Sequence, residues 1–280
     1  MTTILNLFAV LVPLFYALAW ANYAQLFFRD DPFSRRTATP VLLAAAGVHL
    51  VAIFTRAFLL RRCPMGNLPE VLSVLALAVV VVYLALEHRQ ENKHTGVFLL
   101  GLVVPLVIIS AIIPPPQGPV SALLKSPLFG LHTTMALLGY SSFAVCAVYG
   151  LMYLLLHRTL KRQTFGLVFQ NLPSLDGLAA MTVSAALIGF CALSVTMLVG
   201  MFWGSRAMQS QLLPGTFWHD PKIFVTLIVW AAYGIGIAAR FILRWSNRPT
   251  VVLLMAAFVV AVLGMVALNT FLHTFHRFTT

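Results

Sequence analysis

The chain alternates between long apolar runs and short polar breaks, and the length of the runs says what they are. Runs near 4–27, 41–60, 70–87, 97–113, 128–156, 178–202, 222–243 and 250–271 approach the roughly 20 residues an α-helix needs to cross a bilayer core. The breaks carry turn formers. "IPPPQGP" (113–119) and "SNRP" (246–249) are loop punctuation, and "QNLPSLDG" (170–177) is a short connector before the sixth run. The pattern predicts an all-α fold, a polytopic membrane bundle of about eight transmembrane helices. Residues 1–280 form one integral membrane domain on this reading, with no soluble domain left over and no internal repeat. The N-terminal run has no basic stretch before it and is too long for the apolar segment of a signal peptide. It reads as a retained first helix.

Composition agrees with the pattern. The chain is 60% hydrophobic and 9% charged, with a mean hydropathy of +0.93, against about 25% charged residues in a soluble domain. Its formal charge of +11 would suggest nucleic acid in a soluble protein. Here the basic residues sit in short loops, where they set topology and meet anionic lipid, so the bilayer is the expected partner and nucleic acid is not.

Those loops also orient the bundle. Ten basic residues follow the odd-numbered runs (Arg29, Arg35, Arg36, Arg89, Lys93, Arg158, Lys161, Arg162, Arg244 and Arg248) and six lie on the opposite side (Arg61, Arg62, Lys125, Arg206, Lys222 and Arg277). The positive-inside rule then predicts a multi-pass protein of the cell's inner (cytoplasmic) membrane with both termini on the outer face.

The scarce chemistry gathers at that outer face. "TFWHDPKIF" (216–224) joins Trp218, His219, Asp220 and Lys222 in one break. His132 lies about one turn into the fifth run, and His273 and His276 at the outer end of the eighth, so four histidines share one level. His273 and His276 share a helix face and are poorly placed to flank one planar ligand; His132 and His273, from two helices, can. His49 stands mid-membrane in the second run, as a neutral imidazole bonded to another helix or as a metal ligand. His88, His94 and His157 fall among inner-side charges and read as solvated. Glu70 occupies the first turn of the third run, where the helix dipole favours it. The three cysteines form no CxxC or CxxCH, and read as structural. No nucleophile elbow, phosphate loop or zinc spacing is present. Neutral histidines and aromatics without a carboxylate cluster imply iron in a haem over zinc or calcium.

These residues carry a resemblance. Segment 200–240 resembles the WWD signature of CcsA-type cytochrome c assembly proteins at Trp203, Trp218, Asp220, Pro221, Lys222, Trp230, Tyr233 and Arg240. "MGNLPEVLS" (65–73) resembles a second segment of that family, and His132 and His273 match the two histidines flanking its outer haem site. The departures are specific. Ile223 replaces a glutamate, Ala238 replaces a membrane histidine, and tryptophans between Trp203 and Trp218 are missing, which makes the chain similar to the HemX-like branch.

The resemblance implies a non-covalent, b-type haem ligated by His132 and His273, with His276 as substitute and His49 as an auxiliary ligand. The WWD-like outer loop at 203–222 would cradle it, with Trp203 and Trp218 as an aromatic platform. Lys222 and Arg206 would pair with propionates. Asp220 pairs with Lys222 or caps the seventh helix with Pro221 at its first position; the bland alternative for the loop is an interfacial aromatic belt. The implied function is handling or presenting haem for cytochrome c biogenesis, a haem-transport or chaperone role without a catalytic residue, with other assembly proteins or an apocytochrome as partners. The alternative implied by the HemX-like branch is control of glutamyl-tRNA reductase in tetrapyrrole synthesis, with haem as signal or absent. A small-molecule transporter ranks third, since no inverted repeat is visible.

Overall fold

The computed structural model describes residues 2–90, 92–114, 122–163, 166, 171–209 and 219–271. Each apolar run becomes one helix: α1 (Thr2–Arg29), α2 (Pro32–Leu60), α3 (Leu68–Gln90), α4 (Gly96–Ile112), α5 (Pro127–Lys161), α6 (Leu175–Gln209), α7 (Pro221–Phe241) and α8 (Asn247–Phe271). One 3₁₀ turn (Ala122–Lys125) precedes α5. Seven of the eight are long and apolar enough to span a membrane, and α4, at 17 residues, is the short one. At 1.5 Å per residue α4 is about 25 Å long, just under the ~30 Å of a hydrocarbon core.

The helix starts are written in the sequence. Asp31, Ser126 and Asp220 each stand in extended backbone before a proline, and each side chain accepts a backbone N–H of the first turn. The cap satisfies a donor the helix leaves open, and proline lacks the N–H that would otherwise be orphaned there.

Packing divides the bundle into two lobes sharing a seam. α1 packs on α2 and α4, and α3 on α4; α5 packs on α6 and α8, and α7 on α8; α3 against α5 joins the lobes. α5 and α6 approach closely because Gly139 faces Gly189: a Cβ at 139 would sit 3.4 Å from the Gly189 carbonyl oxygen and the Leu193 nitrogen. Small residues at a crossing let two membrane helices bring their backbones together. Side chains such as Leu14, Phe54, Ile235 and Leu263 are more than half exposed around the bundle, which is the lipid-facing surface a membrane helix requires.

Hydrogen bonds between distant segments sort the helix ends. At one end the Lys93 ammonium donates to the Arg35 carbonyl, Asn171 to the Phe27 carbonyl, and Asn247 to Asp176. Asp30 takes the Arg35 guanidinium at 2.6 Å there, which holds its carboxyl below the usual carboxylate range. The same end buries Glu87, which accepts from the Tyr23 and Thr39 hydroxyls at 2.5 Å each. At the opposite end the Cys63 amide donates to the Leu124 carbonyl and Ser110 to the Pro69 carbonyl. The candidate residues of α5, α6 and α7 belong to this second end.

Candidate functional site

Among the described residues, two cavities open at the second end. One, of about 380 Å³, lies between α5, α6 and α7 and is lined by Phe129, His132, Tyr140, Met197, Trp203 and Lys222 among others. Its walls are mostly apolar, and its size falls within the roughly 300–1,000 Å³ of small-molecule sites.

His132 is its most informative member. Its Nδ1 lies 3.0 Å from the Thr196 carbonyl oxygen. A carbonyl only accepts, so Nδ1 carries the proton, and in the neutral ring Nε2 keeps the lone pair. That is the tautomer a metal-ligating imidazole adopts when a backbone carbonyl orients it. The same bond also suits a purely structural histidine, so it is the surroundings that favour a ligand. The ring stacks on Trp203 at 6.1 Å between centroids and 22° between planes. Gly200 gives it room: a Cβ there would lie 2.8 Å from Cε1 and Nδ1 of the ring.

Trp203 is buried and anchors a small cluster with Leu124, Phe129 and Ala207. The sequence places Trp203 and Arg206 in an outer loop; the structure places both in the last turns of α6, which continues to Gln209. An apolar face on those turns can pack against Phe129, so the helix runs past the predicted end of its span. Arg206 is exposed and its guanidinium sits 4.4 Å over the Phe202 ring. Ile223, which stands where a glutamate was expected, packs against the Trp203 cluster.

Asp220 is buried and caps α7, its Oδ1 accepting the Lys222 amide at 2.8 Å. Of the two roles weighed for it, the cap is observed. Lys222 lines the cavity from the first turn of α7. His219 is exposed. Trp218, His273 and His276 lie outside the described residues.

The remaining signature residues hold α7 in place. The Trp230 indole donates to the Ser194 hydroxyl at 2.8 Å and stacks on Phe190. Tyr233 stacks on Phe143 with ring centroids 3.6 Å apart. Arg240 donates to the Trp245 carbonyl.

His49 lies elsewhere, in a second cavity between α1, α2, α3 and α4. It is buried, with Nδ1 3.1 Å from the Tyr16 hydroxyl and Nε2 2.8 Å from the Ser73 hydroxyl. The structure therefore separates His49 from His132 and engages both of its ring nitrogens within the bundle.

Several cavity residues escaped sequence reasoning. Met197 and Met201 both line the cavity from α6, and their spacing of four puts them on one face. Tyr140 and Thr226 share a hydrogen bond of 3.3 Å that ties α5 to α7. The methionine spacing was visible in the sequence, but nothing local distinguished it from ordinary helix packing.

The residues present fit a haem: a large apolar cavity, an imidazole oriented through Nδ1, a parallel indole and a cation at the rim. His132 would ligate and Lys222 would meet an anionic edge group. The group would supply a redox-active or signal-bearing iron, while the protein's own part is to orient one imidazole and exclude water.

Comparison with known proteins gives a consistent result. A family model described as cytochrome C assembly protein matches residues 44–276. The chain is similar to protein HemX of Brevibacillus brevis, 24% identical over 263 residues that cover 93% of this chain and 94% of the relative. It is 24% identical to protein HemX of Bacillus subtilis (strain 168), with 78% of each chain covered. It is 26% identical to the cytochrome c biogenesis protein CcsA of Guillardia theta, over 74% of this chain and 73% of the relative.

Proposed function

The chain belongs to the cytochrome c assembly protein family, and we propose that it acts as a HemX-like regulatory membrane protein of tetrapyrrole synthesis, with haem in the α5–α7 cavity as its signal. The observation that carries this reading is the nearly end-to-end match to a HemX protein, 93% of this chain against 94% of the relative. The CcsA relative of Guillardia theta aligns over a smaller share of both chains. The missing glutamate at Ile223 and the missing membrane histidine at Ala238 support the same branch. On this reading the protein holds haem through His132 and through His273, which lies outside the described residues, and its state controls glutamyl-tRNA reductase.

A second reading is favoured by the CcsA relatives: handling of haem for cytochrome c biogenesis. Deleting the gene in its native host separates the two. The regulatory reading expects glutamyl-tRNA reductase abundance to change while c-type cytochromes persist; the handling reading expects the reverse. If neither changes, both readings fail.

Haem occupancy has its own test. The detergent-purified protein is expected to show a Soret band with sharp reduced α and β bands. His132→Gly should lose or shift that low-spin spectrum, and imidazole added to the solution should restore it. An unchanged spectrum in His132→Gly removes the residue as a ligand. The outer-face orientation of this site belongs to the same proposal, and rests on the ten-to-six split of basic residues.

A further inference from the structure

The second cavity, between α1, α2, α3 and α4, has about the same volume as the first, 380 Å³, but a different lining. Most of its polar groups are committed to one another. Glu70 takes both guanidinium nitrogens of Arg62 at 2.7 and 2.8 Å and also accepts the Gly66 amide. Asn67 accepts the Glu70 amide, Ser110 donates to the Pro69 carbonyl, and Ser73 bonds His49.

Two lining groups stand apart. Among the described residues Arg56 and Asn6 make no hydrogen bond or ion pair, although both line the cavity. Because Arg62 and Glu70 neutralise each other, Arg56 sets the sign of the cavity's charge.

An arginine inside an apolar helix normally faces a partner or a water-filled path. Arg56 lies four residues from the end of α2 at Leu60, near enough to the boundary to reach a headgroup. It is half-buried and lines the cavity. Phe8 and Val12 from α1, Ile53 from α2 and Val107 from α4 supply apolar wall beside the polar groups already named. A cation beside those apolar side chains matches a molecule with an anionic head and an oily body.

We propose that the α1–α4 cavity is a binding site for an anionic amphiphile, its carboxylate or phosphate head held by Arg56 and Asn6 and its apolar body by Phe8, Val12, Ile53 and Val107. A planar guanidinium takes either head bidentately. The site is separate from the haem reading, since its ligand and its readout involve no haem.

The test uses the full-length protein in a neutral detergent, titrated with a dansyl-labelled fatty acid. Saturable binding is expected. Arg56→Gln should weaken it by about ten- to a hundred-fold, the range a lost charge-assisted hydrogen bond implies. Arg56→Lys should recover part of the loss. Arg36→Gln, which removes an equal charge from an exposed position at the opposite end, should leave binding unchanged. Ala9→Trp fills the cavity without replacing the arginine and should also abolish binding; it keeps the question open to refutation if Arg56→Gln fails to fold.

Competitors identify the source of the head. Displacement by phosphatidylglycerol assigns the site to a bilayer lipid, and displacement by unlabelled fatty acid alone assigns it to a single-chain carboxylate. Competition by inorganic phosphate as potent as by either amphiphile would overturn the proposal. So would equal binding by wild type and Arg56→Gln, or no saturable binding at all.

Discussion

The two cavities share a size and an end of the molecule but stand on different physical footings. The α1–α4 cavity is held by polar groups that satisfy each other: His49 between Tyr16 and Ser73, Glu70 between Arg62 and Gly66. The α5–α7 cavity is held by aromatic and aliphatic packing around Trp203 and Phe129, with the His132 ring turned by a backbone carbonyl. In the first, removing one partner strands another inside the protein. In the second, the His132 ring lines the cavity itself, so its loss should be read in the ligand. The difference teaches where to expect stability and where to expect binding.

The sharpest break in the comparison is Glu70→Ala. It leaves the Arg62 guanidinium without its buried carboxylate, which costs about 3–5 kcal/mol when such a pair is broken from one side. Denaturant unfolding in detergent measures it. A loss below about 1 kcal/mol would mean that the pair behaves as a solvent-exposed one.

Next in size is His49→Leu. The Tyr16 and Ser73 hydroxyls lose their partner, at a cost of about 1–3 kcal/mol for a stranded buried group. Adding Tyr16→Phe should recover part of that loss, since it removes one stranded hydroxyl. A double variant that is simply additive would argue against the shared hydrogen bond.

Asp220→Ala tests the rim of the other cavity. Loss of the α7 cap is expected to cost about 1 kcal/mol, and Asp220→Asn, which keeps the accepting oxygen, much less. Equal losses in the two variants would show that the charge matters beyond the cap.

The smallest expected effect on stability, and the one that orients both cavities, comes from cysteine labelling. In a background without the three native cysteines, Asn6→Cys and Ser205→Cys should react with a membrane-impermeant maleimide in intact cells. Arg36→Cys should react only after permeabilisation. The opposite pattern inverts the topology; different sides for Asn6 and Ser205 would break the claim that the two cavities share an end.

Much of the fold was legible. The apolar runs are local signals and give the eight helices, but α2 starts at Pro32, nine residues before its predicted run, and α6 ends at Gln209, seven residues beyond its predicted run. Trp203 and Arg206 were misplaced because helix length was judged from hydropathy alone. The last turns of α6 are less apolar than its centre, yet continue because one face packs on Phe129.

The candidate site was only partly legible. His132, Trp203 and Lys222 were picked out by residue type and resemblance, and the structure brings these three to one cavity. The carbonyl that turns His132 belongs to Thr196, 64 residues away, and no local pattern announces such a pairing. Glu87 is a similar case. It sits beside His88 and Arg89 in the sequence, where a solvated loop end is the natural expectation, yet tertiary packing buries it against Tyr23 and Thr39.

What the sequence determined by itself is therefore the environment and the elements: a chain this apolar must place its helices in a bilayer, because an unpaired peptide group has no partner there except within its own helix. What only the tertiary structure decided is which helices meet and which polar groups they bring together. That depends on close approaches such as Gly139 on Gly189, because small residues set how near two helices come, and that spacing fixes which side chains face each other across a cavity.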